Sequence, residues 1–199
     1  MVCADWMKAD ARVDGDIYPF VVRVGDVAVV CFNSGVPTLP IMAYGRIEDE
    51  QIARARTLIR AEREAGRAIV FALHHHPTKA PNHKREWTRG LRNVGRFRKL
   101  AAHADASLVL HGHNHCHHQR RLREAPDVCV VGLSSATTNR ADPPERVGQV
   151  GLYEVGAGGL QRLGVASWDS HKVLFGDWQW TRPEDVPVEA PHEVLPRER

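Results

Sequence analysis

No apolar run in this 199-residue chain is long enough to cross a bilayer. The longest, such as Ala68–Leu73 and Val128–Leu133, fall far short of the roughly 20 residues a membrane helix needs. Charge of one sign is also scarce. The 27 Lys and Arg against 24 Asp and Glu leave a net +3, too mild to indicate a nucleic-acid partner by itself. Cysteine is sparse: Cys3, Cys31, Cys116 and Cys129 follow no repeating spacing, which excludes a disulfide scaffold. Residues Met1–Pro19 lack a basic n-region, an apolar h-region and a small-residue cleavage site, so no secretory signal is read and a cytoplasmic location is expected. With 43% hydrophobic and 26% charged residues, 16 Gly and 12 Pro, the composition is that of an ordinary globular protein. The length fits one domain that buries about 70% of its unfolded surface.

One residue type is abundant and clustered. Of 12 histidines, ten fall between His74 and His118. Histidine is the commonest metal ligand and a general acid or base near neutral pH, and a purely structural use would scatter it.

Hydrophobic periodicity places these residues. Phe20–Val24 and Val27–Phe32, joined by Gly25-Asp26, predict a hairpin. A helix is expected from about Glu48 to Ala65, with an acidic start, Ile52, Ala55 and Ile59 on one face, and Gly66 as its stop. A second helix is expected over Trp87–His103, with Trp87, Leu91, Val94, Phe97 and Ala101 as its stripe. Buried strands are read at Ala68–Leu73, Ser107–Leu110 and Val128–Leu133. A later hairpin is read at Gln149–Val155 and Leu160–Trp168, and a further strand within Val173–Trp180. From Thr181 the chain is rich in Pro and charge and is expected to be a disordered tail. The division is a domain over 1–180 and a tail over 181–199. The alternation predicts an α/β fold, in which ligands bind beyond the carboxyl ends of the strands. Both histidine groups, His74-His75-His76 and His111-Gly112-His113-Asn114-His115, follow such ends. Imidazoles two residues apart after a Gly-containing turn can point toward a shared centre, each serving one metal of a pair. His83, His117 and His118 are expected to face solvent.

Leu110-His111-Gly112-His113-Asn114-His115 resembles the closing Gly-His-x-His motif of the calcineurin-like metallophosphoesterases. Ala72-Leu73-His74-His75-His76-Pro77 resembles the strand-then-His-x-Pro motif that precedes it, and Phe32-Asn33-Ser34 resembles the segment before that. The resemblance covers roughly residues 17 to 155. It implies the C-terminal portion of a four-layer α/β/β/α sandwich. It also implies hydrolysis of a phosphodiester or phosphomonoester at a centre of two divalent ions, Mn, Fe or Zn. Carried over, it assigns His75 and His113 to one metal and His115 to the other. His74, His111 and Asn33 fall to supporting or substrate-side roles, as do Ser34 and the loop Ser134–Thr138. No catalytic proton donor is identified.

The family's earlier motifs, Asp-x-His, Gly-Asp and Gly-Asn-His followed by an acid, have no counterpart ahead of this region. Asp169-Ser170-His171 and Gly176-Asp177 lie after the last motif. Pro81-Asn82-His83-Lys84 has Lys in place of the acid, and Gly25-Asp26 reads as a turn. The chain is therefore expected to be the later part of a longer enzyme, weakly active or inactive alone, and to associate through an uncovered half-sandwich. No membrane partner is expected. The alternative is a non-catalytic metal-binding or interaction module. Its basic helix would carry Lys84, Arg85, Arg89, Arg92, Arg96, Arg98 and Lys99 with Trp87.

Overall fold

The computed structural model describes residues 9–13, 17–78, 87–137 and 147–190. Its strands are β1 (Ala11–Arg12), β2 (Phe20–Val24), β3 (Val27–Cys31), β4 (Ala68–Ala72), β5 (Leu108–His111), β6 (His118–Leu122), β7 (Ala125–Gly132), β8 (Gln149–Gly156), β9 (Gly159–Asp169), β10 (Leu174–Phe175) and β11 (Gln179–Thr181). Its helices are α1 (Asp49–Glu64) and α2 (Val94–His103).

A seven-stranded sheet runs in the order β1-β2-β3-β4-β5-β7-β6. Strands β3, β4, β5 and β7 are mutually parallel, so their carboxyl ends lie together at one edge. Because side chains alternate across a strand, each of these strands feeds two cores. Ile69 and Phe71 of β4 and Val128 and Val130 of β7 pack with Ile52, Ala55, Leu58 and Ile59 of α1 and Phe97, Leu100 and Ala101 of α2. The intervening Val70, Cys129 and Val131 face the other way and pack with Leu163 of β9 and with Val186. The described residues thus form three layers, with helices, the large sheet and the smaller sheet of β8–β11 in that order. The mixed α/β class agrees with the sequence. No helix among the described residues is long and apolar enough to cross a membrane.

The predicted hairpin is β2–β3, closed by Gly25 at a φ of 55°. Helix α1 forms where its stripe and acidic start place it. It stops at Gly66, whose φ of 77° suits a residue without Cβ. Three expectations need correction. The second helix is interrupted: residues 87–89 are helical, 90–93 are not, and α2 resumes at Val94. Residues 90–92 instead run beside the loop around Gly45, with Gly45 N–H donating to Gly90 O (3.1 Å) and Arg92 N–H to Gly45 O (2.8 Å). Asn93 clamps Ile47 from both sides of its peptide, accepting from its N–H and donating to its carbonyl.

Strand β6 was not foreseen. It is a polar edge strand whose alternation is hidden by His118, Gln119, Arg120 and Arg121. The segment 181–190, expected in the tail, is packed. Val186 is 1% exposed, and Glu189 pairs with Arg98 across 91 residues of sequence. Residues 191–199 lie outside the described residues.

Candidate metal centre

The shared edge begins where β3 ends. Asn33 exchanges backbone hydrogen bonds with the Gln51 amide, which ties this loop to the first turn of α1 (2.8 and 2.9 Å). Its own side chain accepts from Gly35 N–H at 2.9 Å, closing a local turn. The Asn33 amide is therefore occupied by its own loop. Ser34 points inward and is 1% exposed. Its hydroxyl lies 2.9 Å from His75 Nδ1 and accepts from His75 N–H at 3.1 Å. It thus anchors His75, and it is too buried to meet a substrate.

His75 is also held from its far side, where Nε2 lies 3.1 Å from the carbonyl oxygen of Ala43. A carbonyl only accepts, so the proton sits on Nε2, and Nδ1 receives the Ser34 hydroxyl. The ring lies flat on Gly45. A Cβ there would stand 2.3 Å from Nδ1 and 2.6 Å from the Ser34 carbonyl. The interruption before α2 therefore has a local consequence, since it supports the loop on which the His75 ring rests.

From β5 comes His113, with its ring centroid 4.4 Å from that of His75 and 5.0 Å from that of His74. Its Nδ1 is 3.1 Å from His74 Nε2, and its Nε2 is buried without a hydrogen-bond partner. The turn that presents it is tight. Asn114 N–H donates to Gly112 O at 2.9 Å, and His113 sits between them at a φ of 70°. That is a γ-turn with positive central φ, a strained conformation for a residue with a side chain. His115 follows at a φ of 48°, exposed. Burial lowers the pKa of His74, with a smaller contribution from the neighbouring His115.

A second imidazole group adjoins the first. His76 lies 6.2 Å from His111, and His111 lies 6.0 Å from His118, between ring centroids. His117 and His118, expected to face solvent, are half-buried and carry ring nitrogens sealed from it. His83 lies outside the described residues. Desolvation dominates the titration of the whole edge. It holds His76, His111, His113 and His118 down at about 4 and lowers His74, His75 and His117. At neutral pH these rings are neutral, so each keeps one nitrogen lone pair, that of His75 being taken up by the Ser34 hydroxyl.

Imidazole nitrogens of this kind suit Zn, Fe or Mn. The buried, unpartnered Nε2 of His113 fits the donor expected at such an ion. His75 reaches an ion only by giving up the Ser34 or Ala43 contact. A pair of ions also needs a bridging anion. Among the described residues no group of three or more His, Cys, Asp or Glu is set to hold a metal. As placed, the residues do not make up the ligand set of a two-ion centre.

Other motif look-alikes have structural roles. Asp169 accepts from the N–H groups of His171 (2.9 Å) and Lys172 (3.2 Å), capping the turn after β9. In the basic helix, Arg98 is buried against Glu124 and Glu189, Arg96 pairs with Asp49, and Arg92 lies over the rings of Tyr44 and Trp87.

No family model matches the sequence, and no curated protein matches it. Among solved structures, a chain described as "Putative 5'-Nucleotidase from Staphylococcus aureus in complex with alpha-ketoglutarate" aligns over 89% of this chain and 31% of its own. The identity is 12% and the TM-score 0.32, too loose an overlap to carry that protein's fold or function across.

Proposed function

We propose that this chain supplies the histidine side of a metal-dependent phosphoesterase acting on a phosphodiester or phosphomonoester. The observation that carries the reading is the meeting of His75 and His113. Two motif segments 38 positions apart in sequence bring their rings within 4.4 Å at the carboxyl edge of a parallel sheet. Neutral rings and the unpartnered His113 Nε2 support metal binding there. His75 and His113 would hold the ion, with His115 on the exposed side of the same turn. A bound divalent ion supplies Lewis acidity toward a phosphoryl oxygen. The contribution of the chain is to orient neutral donors through Ser34, Ala43 and His74.

Without a bridging carboxylate among these residues, hydrolysis by the chain alone is expected to be weak. Such weak activity makes a non-catalytic metal-binding module the second reading. The nucleic-acid reading has less support, because Arg92, Arg96 and Arg98 are engaged within the fold. Association of copies through the half-covered face around Val27, Val29 and Leu133 belongs to the same proposal.

The test is a manganese titration of the purified 199-residue chain, followed by a phosphodiester assay. Binding and any turnover should fall at least tenfold in His113→Ala. Turnover unchanged in that variant would refute the assignment.

A further inference from the structure

The strip of backbone under the His75 ring has a second face. Gly45 bridges Gly35 on one side and Leu91 on the other, so residues 44–46 run extended between two neighbours. Side chains on extended backbone alternate. Gly45 faces inward beneath the His75 ring, while Tyr44 and Arg46 face outward. Burial follows the same alternation, with Gly45 and Ile47 buried and Arg46 exposed. The outward face is the floor of an open pocket of about 640 Å3, lined by Val36, Pro37, Tyr44, Arg46, Glu48 and Arg92. That is the size of a small-molecule site, and none of the six residues belongs to the histidine groups.

The charges in this pocket are unequally matched. Arg46 lies 3.8 Å from the Glu48 carboxylate, and Asp49, next in the chain, is paired with Arg96. Arg92 has no acidic partner among the described residues. Its guanidinium lies over the rings of Tyr44 and Trp87, 4.5 and 5.1 Å from their centroids, and none of the described residues accepts a hydrogen bond from its side chain. The two rings hold the cation in place while its fork of N–H donors stays without an acceptor. Its backbone is fixed as well, since Arg92 N–H donates to Gly45 O at 2.8 Å. An arginine held in this way gives up little further rotamer freedom when an anion binds it.

We propose that this pocket binds a small oxyanion carried on a flat apolar body, in chemistry an aryl phosphate or an aryl carboxylate, with the anion on Arg92 and the body against Val36, Pro37 and Tyr44. A guanidinium offers two parallel N–H groups that match two oxygens of a phosphate or carboxylate. A neutral ligand would leave the Arg92 charge unmatched, and a bare inorganic ion would leave the apolar wall of Val36 and Pro37 unused. The same strip of backbone serves the histidine edge, because Ala43 O accepts from His75 Nε2 and the His75 ring rests on Gly45. A ligand on the outward face therefore braces the loop that positions His75. Binding at Arg92 needs no metal ion, so it stands or falls apart from the metal reading.

The test is calorimetric titration of the full 199-residue chain in chelator, at physiological salt so that diffuse charge attraction is screened. Phenyl phosphate and benzoate are the probes, with phenol and inorganic phosphate as controls for the body and the anion alone. At least one of the two probes should saturate at one per chain, and the tighter names the oxyanion. Both controls should bind roughly tenfold more weakly or worse. Arg92→Ala should weaken the tighter probe roughly tenfold or more, and Arg92→Lys, which keeps the charge and loses the fork, roughly threefold or more. Both variants keep the backbone N–H that bonds Gly45, and Arg92 is exposed, so the fold is retained. Arg89 is exposed and outside the pocket lining, and Arg89→Ala, which removes the same charge, should bind within about twofold of the parent. The proposal fails if neither probe saturates, if either control binds as tightly as the probes, if either Arg92 variant binds as the parent does, or if Arg89→Ala weakens binding as much as Arg92→Ala.

Discussion

Replacing Ser34 by Ala isolates the contact that sets His75. The hydroxyl meets two groups of one residue, His75 N–H at 3.1 Å and His75 Nδ1 at 2.9 Å, and all of these atoms are buried. Alanine preserves the volume of the side chain apart from one oxygen, and it leaves an N–H and a ring nitrogen without partners. Each stranded buried group costs about 1–3 kcal/mol. Some relief comes from rotation of the ring, which gives an expected loss of about 2–4 kcal/mol. In a chain of this length, 1 kcal/mol corresponds to about 2–4 °C in Tm, so a fall of about 5–15 °C is expected. Urea denaturation in the presence of chelator measures the free energy without a contribution from bound metal. A double-mutant cycle with His75→Ala then assigns the loss to the pair. Residues that share hydrogen bonds couple by about 0.5–3 kcal/mol, whereas independent sites add to within about 0.5 kcal/mol. A Ser34→Ala variant within about 0.5 kcal/mol of the parent, or a strictly additive cycle, would refute the role given to Ser34.

Acid stability follows from the burial of neutral histidine. His76 is held at about 4 in the folded chain against about 6.5 when unfolded. Between these values the unfolded state binds more protons. Stability is therefore full above pH 6.5 and declines as pH falls toward 4, by about 3 kcal/mol for this residue alone. Urea midpoints of the metal-free chain at pH 7.5, 6 and 5 should fall in that order, and a flat or rising series contradicts the buried placement. Arg98→Met leaves Glu189, whose side chain is 10% exposed, without its buried counter-ion. The expected cost is about 3 kcal/mol, with faster cleavage by a glutamate-specific protease after Glu184 as segment 183–190 is released. Unchanged cleavage would show that this ion pair does not retain the segment. Gly66→Ala forces a side chain into a φ of 77° in otherwise open space. It should cost about 1 kcal/mol while Gly66→Asn costs less, a difference readable by thermal melting.

Features built from neighbours in sequence were legible, and features built across long separations were not. The β2–β3 hairpin, α1 and the apolar strands follow from alternation, a 3.6-residue stripe and turn residues. The same signals place His74–His76 and His111–His115 at strand ends. The stripe beginning at Trp87 is equally clear, yet the helix breaks over 90–93, because Gly45 and Ile47 offer that backbone a pairing that local propensity cannot anticipate. Residues 181–190 read as a tail because Glu189 finds Arg98 only when the chain has folded. Within the site, the histidines were visible but their supports were not. Ser34 is one of many serines, and nothing local to Gly45 or Gly132 indicates that an imidazole lies on it. His118 looked solvated because its neighbour His111 is reached only through the register of β5, β7 and β6.

The carboxyl edge of the sheet is also where this chain departs most from the rules it obeys elsewhere. His113 and His115 occupy left-handed backbone that glycine adopts freely and other residues adopt at a cost of about 1–3 kcal/mol. His76, His111, His113, His117 and His118 each leave a buried ring nitrogen unpartnered, at about 1–3 kcal/mol apiece. Two glycines are placed where only the lack of a Cβ lets a ring lie. Conflicts of this kind, gathered at one edge while both cores are conventionally apolar, are the pattern expected of a site whose ligand resolves them. Hydration would satisfy the nitrogens singly, but it gives no reason for five histidines to share one edge. A metal ion held as proposed would account for the residue type, the neutrality and the clustering together.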